Sequence, residues 1–263
     1  MIAPHERRRL ALESELGEEI TCDGLTASWV IFQRRRGHRH STDDLLTGYH
    51  ALEQSPPVST LLDLGTGIGT VGLLALSGME GARLTCIEAQ AVSFRLLREN
   101  VAANALEERV EMIHGDLREL DLPTKYPLIT GSPPYFDPRA GVMPADSQKA
   151  HARFELRGDV RDYARAARRH LAPEGLFVFC FPWPQKARAM DAATGEGLAI
   201  VSHRDVIPRI GIAPLFSLFV CRLGAAPTPE PEPPFVVRDA RGVHTDDMRR
   251  VRARFGWTSP DAC

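Results

Sequence analysis

The chain has 263 residues, 32 basic against 34 acidic side chains, a net charge of −2 and 43% hydrophobic residues. That length fits one large domain, or one domain with appendages, burying roughly 75% of the unfolded surface, and the composition excludes low-complexity and collagen-like chains. No apolar run approaches the ~20 residues of a membrane span, the first 20 residues lack a signal-peptide apolar stretch, and the charge sum excludes a protein that grips nucleic acid over its whole surface.

Residues Glu6 to Glu19 are charged, with Leu10, Leu12 and Leu16 near helical spacing. Leu25 to Gln33 alternates and predicts a strand. Thr42 to Gln54 predicts a helix with Leu45, Leu46, Tyr49 and Leu52 on one face. From Val58 the rhythm becomes strand, glycine turn, helix. Strands are predicted over Thr60–Leu64, Arg83–Ile87, Val110–His114, Pro127–Thr130 and Leu176–Phe181, the last entered through the turn Pro173-Glu174-Gly175. Helices are predicted over Thr70–Ser77, Ala91–Asn104 and Asp159–Leu171. Such alternation implies a parallel sheet with helices on both faces.

Two later strands, Val201–Pro208 and Leu215–Arg222, predict an antiparallel hairpin at the sheet's end. Ala225 to Pro234 holds five prolines in ten residues and predicts an extended, semi-rigid segment. Phe235-Val236-Val237 regains apolar character, and Thr245 to Phe255 predicts a short helix. The expected fold is therefore α/β: a doubly wound, mostly parallel, seven-stranded sheet with a carboxyl-terminal antiparallel hairpin. The expected organisation is an extension with a basic segment over 1–41, a catalytic domain over 42–224, and a proline-rich linker and tail over 225–263.

The five cysteines, Cys22, Cys86, Cys180, Cys221 and Cys263, show no Cys-x-x-Cys spacing. An odd, scattered set reads as reduced thiols of a cytoplasmic protein, and Cys86, Cys180 and Cys221 lie in apolar runs expected to be buried. His38 and His40 lack the carboxylate or thiol cluster of a metal site, so no metal is expected.

The chemistry concentrates at the carboxyl ends of the predicted strands. Asp63-Leu64-Gly65-Thr66-Gly67-Ile68-Gly69 joins the first strand to its helix. The spacing is Gly-x-Gly-x-Gly, and Thr70 takes the place of the last glycine of a dinucleotide fingerprint. Alone, the loop could be a structural turn. Glu88 ends the second strand, where a carboxylate can accept from both ribose hydroxyls of a nucleoside. Asp116 ends the third, where it can accept from an adenine amino group. Each acid alone could be a solvated cap; three at successive strand ends point into one crevice and to a nucleoside cofactor.

Ser132-Pro133-Pro134-Tyr135-Phe136 follows the fourth strand. Two prolines stiffen it and remove two N–H donors, which suits recognition of an amino group through Ser132 Oγ and the Pro133 carbonyl. Hydrogen bonds that draw the amine protons out of the ring plane localise its lone pair toward an electrophile. Tyr135 could stack on a flat base, a contact worth roughly 1–3 kcal/mol. A proline-stiffened loop without chemistry is the bland alternative.

Together these residues resemble class I S-adenosylmethionine-dependent methyltransferases with an amino-group target. Within them the likeness is greatest to bacterial tRNA adenine-N6 methyltransferases that modify a valine tRNA. Phe32-Gln33 with Gly37 to Leu46, Lys149-Ala150-His151-Ala152-Arg153-Phe154-Glu155, Val206-Ile207-Pro208-Arg209 and the Gly242 to Asp247 tail also match, so the likeness spans roughly residues 20 to 250. It implies S-adenosylmethionine as cofactor, held by Arg39, Thr42, Asp63, Gly65, Gly67, Gly69, Glu88, Asp116, Leu117 and Ser132. It implies catalysis by Ser132, Pro133, Pro134 and Tyr135, and RNA as partner. Where the family usually has Asn, this chain has Ser132, a feature it shares with cytosine-N4 methyltransferases of DNA. Related motifs occur in enzymes acting on glutamine amides of proteins and on small amines, which stay open as alternatives.

Charge by segment sharpens the partner. Residues 51–148 carry 7 basic and 13 acidic side chains, 149–170 carry 7 and 3, and 29–42 carry 4 arginines and no acid. Both basic segments flank the predicted crevice, as phosphate binding requires. Arg34, Arg35, Arg36, Tyr135, Phe136 and Arg153 are therefore the expected substrate-binding residues. Lys149, Arg153, Arg157, Arg161, Arg165 and Arg169 recur every four residues, with Gly158 expected to break the helix; a solvated helix face is the alternative for this run.

Overall fold

A computed structural model describes residues 3–136, 146–224 and 229–257. Cys263 and residues 225–228 of the proline-rich segment lie outside the described residues. The chain opens with α1 (Pro4–Leu16), then β1 (Ile20–Gly24) and β2 (Val30–Arg34), which pair antiparallel as a separate two-stranded sheet. The single strand expected over Leu25–Gln33 is thus corrected. Leu25 N donates to Trp29 O at 2.8 Å, and Thr26 Oγ1 accepts from Ser28 N and Trp29 N. The first half of that stretch is therefore a turn, and the strand runs on to Arg34.

Next come α2 (Thr42–Gln54), β3 (Thr60–Leu64), α3 (Thr70–Ser77), β4 (Arg83–Glu88), α4 (Ala91–Ala103), β5 (Val110–His114) and β6 (Tyr126–Gly131). α5 (Ser147–Arg153) and α6 (Val160–His170) follow, then β7 (Leu171–Pro182), α7 (Lys186–Gly195), β8 (Leu198–Arg209), β9 (Phe216–Leu223), β10 (Glu230–Pro231), β11 (Phe235–Arg238) and α8 (Asp246–Arg254). A capping box from Ser41 and Asp44 starts α2, and one from Asp159 and Asp162 starts α6. The break expected at Gly158 falls between α5 and α6.

The main sheet runs β10-β8-β9-β7-β6-β3-β4-β5, with β11 also on β8. β5, β4, β3, β6 and β7 are mutually parallel, while β9 runs antiparallel to both β7 and β8. The expected doubly wound sheet with a terminal hairpin is present. Among the described residues its strands number nine rather than seven, because two short segments, one within the proline-rich stretch and one just after it, add to the free edge of β8. The predicted turn Pro173-Glu174-Gly175 is a bulge inside β7: Tyr126 pairs with Leu171 and Leu128 with Leu176.

Alternation along the strands divides the core between the two faces. Leu61, Leu84, Leu128 and Val178 join α2, α3, α4 and the β1–β2 hairpin on one side. Leu62, Leu64, Ile129, Phe177 and Phe179 join α6 and α7 on the other. Asn100 of α4 ties the hairpin to the glycine loop: its Oδ1 accepts from Phe32 N at 2.6 Å, and its Nδ2 donates to Ile68 O at 2.9 Å.

Candidate active site

The carboxyl ends of β3, β4, β5 and β6 open into one cavity of about 470 Å³. Such an edge is where open parallel sheets bind ligands. Of the expected cofactor residues, Arg39, Asp63, Gly65, Gly67, Glu88, Asp116, Leu117 and Ser132 line it, and so do Pro133, Pro134, Tyr135, Phe136, Arg35 and Arg153. Thr42, Gly69, Arg34 and Arg36 are described but lie outside the lining. Thr42 is the first residue of α2 and Gly69 caps α3.

The three acids occupy three different situations. Asp63 is buried behind the loop. Its Oδ1 accepts from Thr130 Oγ1 at 2.7 Å, and its Oδ2 accepts from Gly72 N at 3.0 Å and from Thr66 Oγ1. Burial raises its carboxyl above the ordinary value against those bonds. Asp63 therefore braces the glycine loop against β6 and α3. Glu88 accepts from Gly67 N at 2.8 Å and from Gln90 N at 2.6 Å, one bond on each oxygen. Burial raises its pKa too, with both bonds opposing; one lone pair per oxygen remains for a ligand. Asp116 is gripped by Arg118, through Nε at 2.9 Å and Nη2 at 2.6 Å, which lowers its pKa.

The glycine loop is tight on one side and open on the other. Gly65, at φ +58°, lies under the Tyr163 ring, and a Cβ there would come within 1.9 Å of Tyr163 Oη. Gly67, at φ +59°, faces open space: a Cβ would meet nothing within 4 Å. Its backbone is where a ligand can approach.

The Ser132–Phe136 segment leaves β6 and is held at its far end by backbone pairing. Tyr135 N and Phe136 N both donate to Arg153 O, at 3.0 and 2.9 Å. Tyr135 does not lie flat across the cavity. Its ring meets Phe181 edge-on at 5.7 Å, and its Oη donates to Asp43 Oδ2 of α2 at 2.6 Å. Phe136 is the exposed aromatic of the pair, 40% accessible, with the Arg153 guanidinium 5.4 Å from its ring centre.

The basic flanks divide. Arg34, expected to meet RNA, is buried instead. It donates to Glu18 Oε2 at 2.7 Å, Asp146 Oδ2 at 2.7 Å and Gln148 Oε1 at 3.1 Å, and so ties β2 to the cap of α5. Arg35 is exposed and pairs with Glu19; Arg36 is exposed. Arg39 donates to Thr21 Oγ1 at 2.8 Å and Asp23 Oδ2 at 3.1 Å at the rim. Lys149, Arg153 and Arg157 line the cavity mouth. Arg165 pairs with Asp162 and Glu196, and Arg169 donates to Leu120 O at 2.6 Å, away from it.

Several lining residues are absent from the expected set. Tyr163 is an apolar position on an arginine-rich helix, and that contrast marks it as facing the sheet. Asp43 sits within the amino-terminal motif. Gln90 and Gln148 are buried amides at the cavity wall, with nothing in sequence to distinguish them. Among the described residues no cluster of three or more His, Cys, Asp or Glu side chains could hold a metal, and no helix is long and apolar enough to cross a membrane.

A family model described as methyltransferase small domain matches residues 47–181. A tRNA1(Val) (adenine(37)-N6)-methyltransferase of Aeromonas hydrophila is 31% identical over 218 residues, covering 81% of this chain and 88% of that one. The protein of the same name from Parabacteroides distasonis is 30% identical, covering 78% and 84%. A solved structure titled a predicted O-methyltransferase from Agrobacterium tumefaciens shares the fold, with a TM-score of 0.61 at 16% identity, over 81% of this chain and 97% of that one.

Proposed function

From the premise that this chain belongs to the methyltransferase small-domain family, we propose that it methylates N6 of an adenine in tRNA. It is an S-adenosylmethionine-dependent methyltransferase. The observation that carries it is one cavity lined by the glycine loop, Glu88, Asp116 and the Ser132–Tyr135 segment. The residues fit the cofactor. Gly67 leaves a cradle that a Cβ would fill, and Glu88 keeps free acceptor positions beside it. Acidic side chains of Asp43, Glu88 and Asp116 line the wall, which suits a cationic sulfonium. Gly65 and Gly67 would face the cofactor's backbone side, Glu88 its ribose hydroxyls, and Asp116 with Leu117 its adenine. S-adenosylmethionine supplies an electrophilic methyl group.

The chain's own part is positioning and polarisation. Ser132 Oγ and the Pro133 carbonyl accept the two amine protons and localise the nitrogen lone pair. Pro133 and Pro134 keep that geometry stiff. The target base leaves its stack at a cost of a few kcal/mol and meets Phe136 at the mouth. Lys149, Arg153 and Arg157 offer positive charge to phosphates beside it. The amine proton leaves after transfer, so no general base is required.

The likeness to the two tRNA methyltransferases supports adenine in tRNA; Ser132 keeps cytosine N4 as the competing target. Turnover measured with total tRNA and labelled cofactor over a salt series tests the reading. Methylation that needs RNA and weakens steeply with salt supports it; turnover indifferent to both would transfer the assignment to a small amine or a protein amide.

A further inference from the structure

We propose that Asp43, Tyr135 and Cys180 orient the Ser132 hydroxyl, turning it into an obligate acceptor for the substrate amine. The inference rests on the function argued above and explains how serine performs there. An asparagine carbonyl can only accept. A serine hydroxyl both donates and accepts, so its proton must be held away from the amine.

The structure supplies a place for that proton. Asp43 Oδ2 accepts the Tyr135 hydroxyl proton at 2.6 Å. With its proton committed, Tyr135 Oη can only accept from Cys180 Sγ, 3.3 Å away. The thiol has one proton, and once it points at Tyr135 the sulfur can only accept. Ser132 Oγ lies 3.5 Å from that sulfur. The chain then runs Ser132 to Cys180 to Tyr135, each donating once to the next, and ends on the Asp43 carboxylate, which accepts. Thr47, also hydrogen-bonded to Cys180, commits its own proton to the Asp43 main-chain carbonyl at 2.7 Å, so it too can only accept from the thiol. Burial pushes the Cys180 thiol up to about 12 and the Tyr135 phenol well above its usual value, so both protons stay in place at neutral pH. Cys180 is fully buried, and its sulfur faces the catalytic segment from β7. It is a positioning residue, as is Asp43.

Two measurements test this. In steady-state turnover on tRNA, Cys180→Ala should lower kcat roughly fivefold to tenfold, the weight of one hydrogen bond, with KM unchanged. Cys180→Ser, which restores a donor and acceptor, should recover most of the loss. Ser132→Asn brings its own carbonyl acceptor, so Cys180→Ala on that background should change kcat by less than twofold. Equal losses on both backgrounds, or Cys180→Ser no better than Cys180→Ala, would overturn the proposal. If Ser132→Asn is inactive, the Cys180→Ser comparison decides alone. Independently of any substrate, neutron diffraction from D2O-exchanged crystals should place the Ser132 deuteron toward Cys180 Sγ. A thiol deuteron directed at Ser132 Oγ overturns the proposal even if tRNA is methylated. Its correct placement in an enzyme that ignores tRNA would overturn the substrate reading instead.

Discussion

Gly67→Ala separates cofactor binding from folding. The added methyl would meet nothing within 4 Å, so the protein itself feels only the left-handed backbone at φ +59°. That costs about 1–2 kcal/mol, a Tm loss of about 2–8 °C in a chain of this size. The ligand is affected more strongly. Gly67 N donates to Glu88 Oε2 at 2.8 Å, so the loop backbone and the acid proposed to bind the ribose form one surface. A methyl there holds the nucleoside off Glu88, where each charge-assisted hydrogen bond is worth about 1.5–3 kcal/mol. Loss of two such bonds weakens the cofactor Kd by about 100-fold or more at 1.4 kcal/mol per decade. Isothermal titration with S-adenosylmethionine, beside a thermal melt, reads both effects. A Kd within threefold of wild type would refute the cradle. Gly65→Ala provides the contrast: its Cβ would press within 1.9 Å of Tyr163 Oη, and its Tm should fall further than that of Gly67→Ala.

Glu88→Gln should weaken cofactor binding about tenfold or more by removing charge from the acceptor; unchanged titration would free Glu88 from that role. Arg153→Ala should reduce the salt slope of tRNA binding by about one unit. Arg34→Ala should leave that slope unchanged and lower stability by about 1–3 kcal/mol, because its partners are Glu18, Asp146 and Gln148; the reverse pattern would restore Arg34 to the RNA surface. His50 is buried beside Glu232, and burial lowers its imidazole from 6.5 to about 4. The folded state therefore favours the neutral ring, so its contribution is full above pH 6.5 and falls as pH drops toward 4. His50→Leu should flatten that decline in urea melts at pH 7.5 and 5; parallel declines would contradict it.

What was legible in the sequence follows from locality. The β3-loop-α3 unit, Glu88, Asp116 and the Ser132 segment each carry a signature within a few residues, and the parallel order of strands placed them together. Pairings between distant segments were not legible. Arg34 lies in a run of three arginines that suggests solvent, yet its partner Asp146 is 112 residues away. Tyr135 has the composition of a stacking platform, but Asp43 on α2, 92 residues away, draws its hydroxyl inward. That leaves Phe136 as the exposed ring. Asp63 has the look of a ligand-binding acid, but three internal donors already occupy its carboxylate. β1 was missed because Thr21 and Asp23 make it too polar for a strand pattern, and α7 because its small side chains show little periodicity.

The charge pattern changed in the same way. The net charge of −2 averages an acidic stretch, residues 51–148 with 7 basic and 13 acidic side chains, with basic stretches elsewhere in the chain. Only part of the basic sequence reaches the cavity mouth, since Arg34, Arg165 and Arg169 are tied to internal partners.

The central claim is transfer of a methyl group to the exocyclic amine of an adenine in tRNA. Incubation of the protein with unmodified tRNA and deuterated S-adenosylmethionine, followed by nucleoside mass spectrometry, measures it directly. Deuteromethyl N6-methyladenosine that disappears with Ser132→Ala is the expected product. Deuteromethyl cytidine as the sole product would contradict the adenine assignment, and an unlabelled nucleoside pool would contradict tRNA as the substrate.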